Sequence, residues 1–137
     1  MAEVSKLTVD NTTYDIKDPT ARNTANNAII QSISQSDFLT LNNGYTITQF
    51  DVNASDTMLF GHIAILATTP FGNSNANPFS IKAPYQPKNW FYSGCYMGNG
   101  EWSIDNIDYL YMATSNCTIV SRLGSYSCAI LDFKYEI

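Results

Sequence analysis

Few residues of this chain could do chemistry, and their spacing weighs between the chemistries they suggest. His62 is the single histidine of the 137 residues, set in the run MLFGHIAIL at residues 58–66. An imidazole titrates near neutral pH and is the side chain best suited to general-base work. Here it is flanked by glycine and apolar residues, where a strand histidine satisfied by a neighbour outweighs a catalytic base. Cys95, Cys117 and Cys128 are odd in number and far apart, which fits neither a disulfide framework nor a paired zinc motif. Buried free thiols are the expectation. A Cys-His pair would need one of them beside His62, and no local spacing supports that. The sequence has no HExxH, no nucleophile elbow and no glycine-rich phosphate loop. Glu101, Asp105 and Asp108 offer carboxylates for glycoside hydrolysis, but that chemistry depends on a separation in space and leaves no spacing signature. Asp105-Asn106-Ile107-Asp108 supplies hard oxygen ligands without the regular alternation of a calcium loop. The chain is read as non-enzymatic, with no metal and no cofactor.

Aromatic rings are the more informative feature. They make up 13% of the chain, and Trp90, Phe91, Tyr92, Tyr96, Trp102, Tyr109 and Tyr111 crowd into one short stretch. Consecutive Trp90-Phe91-Tyr92 in a strand must point to alternate faces, so at least one large ring looks away from the core. An exposed ring among Asn and Asp side chains suits a saccharide, whose C–H groups lie on the ring while amides and carboxylates take its hydroxyls. The candidate contacts are Trp90, Tyr92, Trp102 and Tyr109 with Asn99, Glu101 and Asp105. Packing of the same rings in a subunit interface is the competing reading.

The elements that must position these groups follow from periodicity. The chain is 45% apolar and 14% charged, enough for one cored domain plus an appendage. Lys6 to Val9 and Thr13 to Ile16 flank Asp10-Asn11-Thr12 and predict a short hairpin. Asp18-Pro19 then supplies an N-cap and a proline at the first helical position. Through residues 19 to 36 the apolar positions Ala21, Ala25, Ala28, Ile29 and Ile33 recur at spacings of three and four, predicting a polar helix with a narrow seam. From Asp37 onward a period of two takes over. Tyr45 to Thr48, Phe79 to Ala83, Trp90 to Met97, Trp102 to Ile104, Ile107 to Ala113, Cys117 to Val120 and Leu131 to Ile137 read as strands, and Met58 to Thr68 as a central strand covered on both faces, with Gly61 a bulge or crossing point. Turn formers fill the gaps, including the run from Phe71 to Pro78. The fold class is mainly β: an N-terminal hairpin and short helix over residues 1–36, then a β-sandwich or jelly-roll head over residues 37–137.

A helix this short and this rich in Asn, Ser and Thr is marginal alone in water. Its partner is either its own globular domain or sister copies meeting along the seam Ala21, Ala25, Ala28, Ile29 and Ile33 in a short parallel bundle, and self-association is the reading taken. A formal net charge of -5 with no basic cluster excludes nucleic acid as a partner. The absence of any long apolar run argues against membrane insertion, and the start MAEVSKLTVD lacks a signal peptide, so the chain is read as made in a cytoplasm.

The stretch LTVDNTTYDIKDPTAR resembles a segment near the start of tail-fibre, baseplate and head-fibre proteins of phages infecting Gram-positive bacteria. In these a V-D-G-x-x-Y-D-[IL]-K-D-x-x-A-R type pattern leads into a helix. Val9, Asp10, Tyr14, Asp15, Ile16, Lys17, Asp18, Ala21 and Arg22 carry the likeness, Asn11 stands where the pattern often has Gly, and the likeness spans about residues 6 to 30. The resemblance implies a trimeric virion fibre made in the host cytoplasm, joined to other virion proteins through its N-terminal segment. Its head would be a receptor-binding adhesin for a host surface glycan, or a structural capsid head fibre or decoration protein without receptor binding.

Overall fold

The computed structural model describes residues 6–15, 20, 29–72, 75–100, 105–113, 115–121 and 125–137. Strands take 68% of them. The first two, β1 (Lys6–Val9) and β2 (Thr12–Asp15), pair antiparallel by themselves, Val9 facing Thr12 and Lys6 facing Asp15. The turn between them is the two residues Asp10 and Asn11, with φ of +50° and +63°. Asp and Asn tolerate that left-handed geometry, which matches the twist of the strands it joins. β2 thus starts one residue before the predicted position, and Asn11 holds a conformation that glycine would adopt freely.

The remaining strands are β3 (Gln31–Ile33), β4 (Leu39–Leu41), β5 (Tyr45–Ala54), β6 (Met58–Phe71), β7 (Asn75–Ile81), β8 (Phe91–Gly98), β9 (Asn106–Met112), β10 (Asn116–Val120) and β11 (Tyr126–Glu136). They form one antiparallel sheet in the order β3-β5-β6-β11-β8-β9-β10-β7-β4. The only other described element is one turn of helix, α1 (Gln35–Phe38), whose N-cap Ser34 accepts from the Asp37 amide at 3.2 Å and donates to its carboxylate at 2.7 Å.

Chain connectivity forces this sheet to curl. Laid flat, nine strands would put β3 and β4 about 38 Å apart. Yet the two edge strands are joined through Ser34 and α1, a link that cannot exceed about 20 Å. The sheet therefore bends until its edges come close, and Phe38, the last residue of α1, lies fully buried inside the curl. Its ring meets Phe50, Phe79, Tyr85 and Phe133 at centroid distances of 6.0 to 6.3 Å.

Alternation along the strands decides what lies within. Leu131, Phe133 and Tyr135 of β11, Cys95 and Met97 of β8, Leu110 and Met112 of β9, and Ile119 of β10 point inward. The prolines within strands sit at irregularities, where a missing N–H costs no ladder bond. Pro78 falls where β7 bulges against β10, and Pro70 where β6 slips past β11.

Several expectations are corrected. The helix read to residue 36 does not reach that far: Gln31–Ile33 is an edge strand paired with Val52 to Ala54, and the sheet thus reaches back across the expected boundary at residue 36. Ile33, expected in the seam, packs on its own sheet's core, and Ile29 is half-buried. Three apolar residues in eight resemble a helical stripe, but the free edge of β5 supplies the backbone hydrogen bonds that residues 31–33 would otherwise seek in a helix. Thr20 is helical, while the Asp18-Pro19 cap, Ala21, Ala25 and Ala28 lie outside the described residues, as does the strand read at residues 102–104. β6 is covered on both faces at Ile63–Ile65, all fully buried, but not before them, where Phe60 faces solvent and His62 is half-exposed. β7 starts at Asn75, within the stretch read as a loop. Among the described residues no helix is long and apolar enough to cross a membrane.

All three cysteines are buried, and none is in a disulfide. Burial opposes the thiolate and pushes Cys95 up to about 12, with the Asp108 carboxylate adding to the effect; Cys117 is raised for the same reason. A thiol whose folded value is raised keeps its proton below the unfolded value and opposes folding as pH climbs above it. Stability is accordingly expected to fall above about pH 9, by about 1.4 kcal/mol per pH unit for each such thiol until its folded value is reached. Urea unfolding at pH 7.5 and 10.5 checks this, and at pH 8 the thiols should ignore a disulfide reagent until the chain is unfolded.

Candidate functional site

The outward positions of the sheet carry two adjoining clusters. The first is aromatic. Phe91 turns inward onto Tyr135, with ring centroids 5.4 Å apart, so its neighbours Trp90 and Tyr92 face out, each 63% exposed. Trp90 meets Tyr92 edge-on at 5.8 Å, and Tyr92 lies 5.1 Å from Tyr111, its direct cross-strand partner on β9. Trp90 reaches Tyr111 as well, at 6.1 Å. Tyr109, 57% exposed, follows two positions along β9, opposite Gly94, where the missing side chain leaves room beside its ring. On the next strand Thr118 and Val120 pair with Tyr111 and Tyr109. Together with Asn75 they border a groove of about 820 Å³ whose walls are Tyr92, Tyr109 and Tyr111. The Thr118 hydroxyl donates to Asn77 Oδ1 at 2.7 Å, which fixes the polar rim.

β9 is the reason these rings face out. Its inward positions are Asp108, Leu110 and Met112, and its outward ones Ile107, Tyr109 and Tyr111. A sequence such as NIDYLYM has apolar groups on both faces, and only the packing of Leu110 and Met112 into the core turns the tyrosines to the surface.

The second cluster is polar and lies on β5, β6 and β11. Register aligns two rows across these strands: Asp51, His62 and Asp132 in one, Asn53, Phe60 and Lys134 in the next. Asp132 Oδ1 lies 2.6 Å from His62 Nδ1, and Gln49 Oε1 lies 3.1 Å from His62 Nε2. Both ring nitrogens are engaged, as expected for a satisfied strand histidine. Asn53 donates to Asp51 at 2.6 Å, and the Lys134 ammonium stands 5.2 Å over the Phe60 ring. Ser93 donates to the Asp132 carbonyl at 3.2 Å, tying β8 to this cluster. These side chains border an open trough of about 600 Å³, and Tyr92 lines both it and the aromatic groove.

The sequence-predicted contacts divide accordingly. Trp90, Tyr92 and Tyr109 come together. Asn99 and Asp105 do not join them, because β8 and β9 form a hairpin whose connecting end holds both residues, far along the strands from Trp90. There Asn99 Oδ1 accepts from the Ser127 amide at 3.3 Å, and the Asp105 amide donates to Met97 O at 2.8 Å. Glu101 and Trp102 lie outside the described residues. Sequence reasoning passed over Tyr111 and Thr118, although the i, i+2 spacing of Tyr109 and Tyr111 marks a shared face. It could not reach the Asp51-His62-Asp132 row, whose members are brought together only by strand pairing. Among the described residues no three His, Cys, Asp or Glu side chains converge on a position that could hold a metal. Compared with protein-family models, curated proteins and solved structures, the chain matches none.

Proposed function

We propose that this chain is a phage virion appendage protein, a homotrimer whose curled, sandwich-like head binds a host cell-surface glycan on the outer face of β8, β9 and β10. The observation that carries the reading is the exposed cluster of Trp90, Tyr92, Tyr109 and Tyr111 beside Asn75 and Thr118. Rings held edge to face by one another keep their orientation without a ligand, so little side-chain entropy is lost on binding. Neighbouring amide and hydroxyl groups supply the directional bonds that sugar hydroxyls need. The role is binding, without catalysis. The N-terminal segment, with its likeness to phage appendage proteins, serves attachment to other virion proteins and trimerisation, the seam now resting on Ala21, Ala25 and Ala28.

Trp90→Ala combined with Tyr92→Ala tests the site. Both rings are largely exposed, so stability should stay within about 0.5 kcal/mol of the parent for each change. Retention on a glycan array or on host cells should fall at least tenfold. Undiminished binding by the double variant would remove the platform, and a parent that binds neither sugar nor cells would favour the capsid-decoration role. For the trimer, light scattering on the full chain should give three copies, and deletion of residues 1–28 should give one. The deletion stops short of β3, since cutting to residue 36 would also strip an edge strand from the sheet.

A further inference from the structure

Resting on the glycan reading above, we infer that the polar trough is a second subsite of the same surface, so that the head takes an extended, uncharged oligosaccharide running across the strands. Three observations carry this. Tyr92 borders both the trough and the aromatic groove, so the two adjoin at its exposed ring. The surface runs from Asp51 and Asn53 on β5 to Asn75 on β7, crossing β6, β11, β8, β9 and β10. Because the sheet curls, this path of about 29 Å is an arc over the outside of the curl, and a ligand touching both subsites bends across Tyr92. The trough also carries the polar half of sugar recognition: Asp51, Asn53 and Asp132 offer hydrogen-bonding groups already oriented by their own partners.

Charge selects the ligand class. Asp51 and Asp132 set two carboxylates beside the Lys134 ammonium, which is held over Phe60, and the His62 ring, which Asp132 holds at 2.6 Å. On a chain of formal net charge -5, such a trough disfavours phosphate or uronate groups and suits hydroxyls, which donate to carboxylate oxygens. The aromatic groove contributes hydrophobic contact with sugar faces, and the trough contributes direction and exclusion of anions.

The test is an array of neutral and anionic bacterial polysaccharides, with size-graded fragments of whichever polymer binds best. The full chain should retain neutral polymers over anionic ones, and affinity should rise at least tenfold once fragments are long enough to reach from β9 to β5. Asp51→Asn with Asp132→Asn, checked for cooperative melting, should abolish that length-dependent gain and relax the discrimination against anionic polymers. Trp90→Ala with Tyr92→Ala should weaken fragments of every length. Binding that is independent of fragment length and indifferent to the Asp pair would overturn the second subsite while leaving the aromatic platform standing. Retention of no polymer at all would overturn both.

Discussion

Phe38→Ala is expected to lower the free energy of unfolding by about 3–5 kcal/mol, enough to abolish the native fold of a domain with ordinary stability. Phe38 is fully buried, and its ring is the shared neighbour of Phe50 on β5, Phe79 on β7, Phe133 on β11 and Tyr85 in the loop after β7. Truncation would leave a void bordered by four rings, each already packed against further neighbours and poorly placed to collapse into it. Phe38 also ends the segment that carries the chain from one edge of the sheet to the other, so its loss weakens the closure of the curl as well as its filling. Urea unfolding followed by tyrosine and tryptophan fluorescence measures the change. Phe38→Leu, which restores most of the volume, should recover more than half of it, and a loss below about 1 kcal/mol for the alanine variant would show that the ring is not central.

Gly61→Ala should cost about 1–3 kcal/mol, against the usual preference for alanine over glycine within a strand. Gly61 faces inward between Leu59 and Ile63, and the Phe133 ring lies across its backbone. A Cβ atom there would stand 2.1 Å from Phe133 Cζ and 2.2 Å from its Cε2. The ring would have to move. It is stacked between Phe38 at 6.2 Å and Tyr135 at 5.9 Å, so displacement propagates along the aromatic row at the centre of the core. Tyr135 resists in turn, because its buried hydroxyl donates to Tyr85 O at 2.7 Å. A double-mutant cycle isolates the cause. In a Phe133→Ala background the clash is absent, and Gly61→Ala should become neutral or stabilising, with a coupling of 0.5–3 kcal/mol. Equal costs in both backgrounds would assign the effect to the strand backbone.

The two substitutions belong to one physical arrangement that also serves the outer face. From Leu59 to Ile63 on β6 and from Leu131 to Tyr135 on β11, core-facing residues alternate with surface-facing ones, so the row of Phe133, Tyr135 and Gly61 holds Asp132, Lys134 and His62 in position on the other side. A surface site built on strands whose inner face is closely packed needs no loop to order when a ligand arrives.

Much of this was legible in residue types. The hairpin turn was visible because Asp10-Asn11 can hold positive φ, and the β character from residue 45 onward because apolar and polar residues alternate. Burial of the three cysteines followed from how often an unpaired cysteine is a core residue. The outward aromatic face was visible in Trp90-Phe91-Tyr92, since adjacent residues of a strand cannot share a side. Local patterns failed where two structures satisfy the same pattern. Ile29 and Ile33 fit a helical stripe, yet residues 31–33 pair with β5; NIDYLYM fits either orientation of β9.

The amino-acid sequence by itself thus determined most of the strands after residue 45, the first tight turn and that large rings would be left outside the core, because these depend on neighbours within a few residues. Only the tertiary structure decided which edges meet and which outward side chains become neighbours. Asp51, His62 and Asp132 are separated by 11 and 70 residues, and they share one row only because β5, β6 and β11 lie side by side in that register. Strand pairing is set by long-range packing around Phe38 and Phe133, and packing of that kind leaves no mark on the spacing of the residues it brings together.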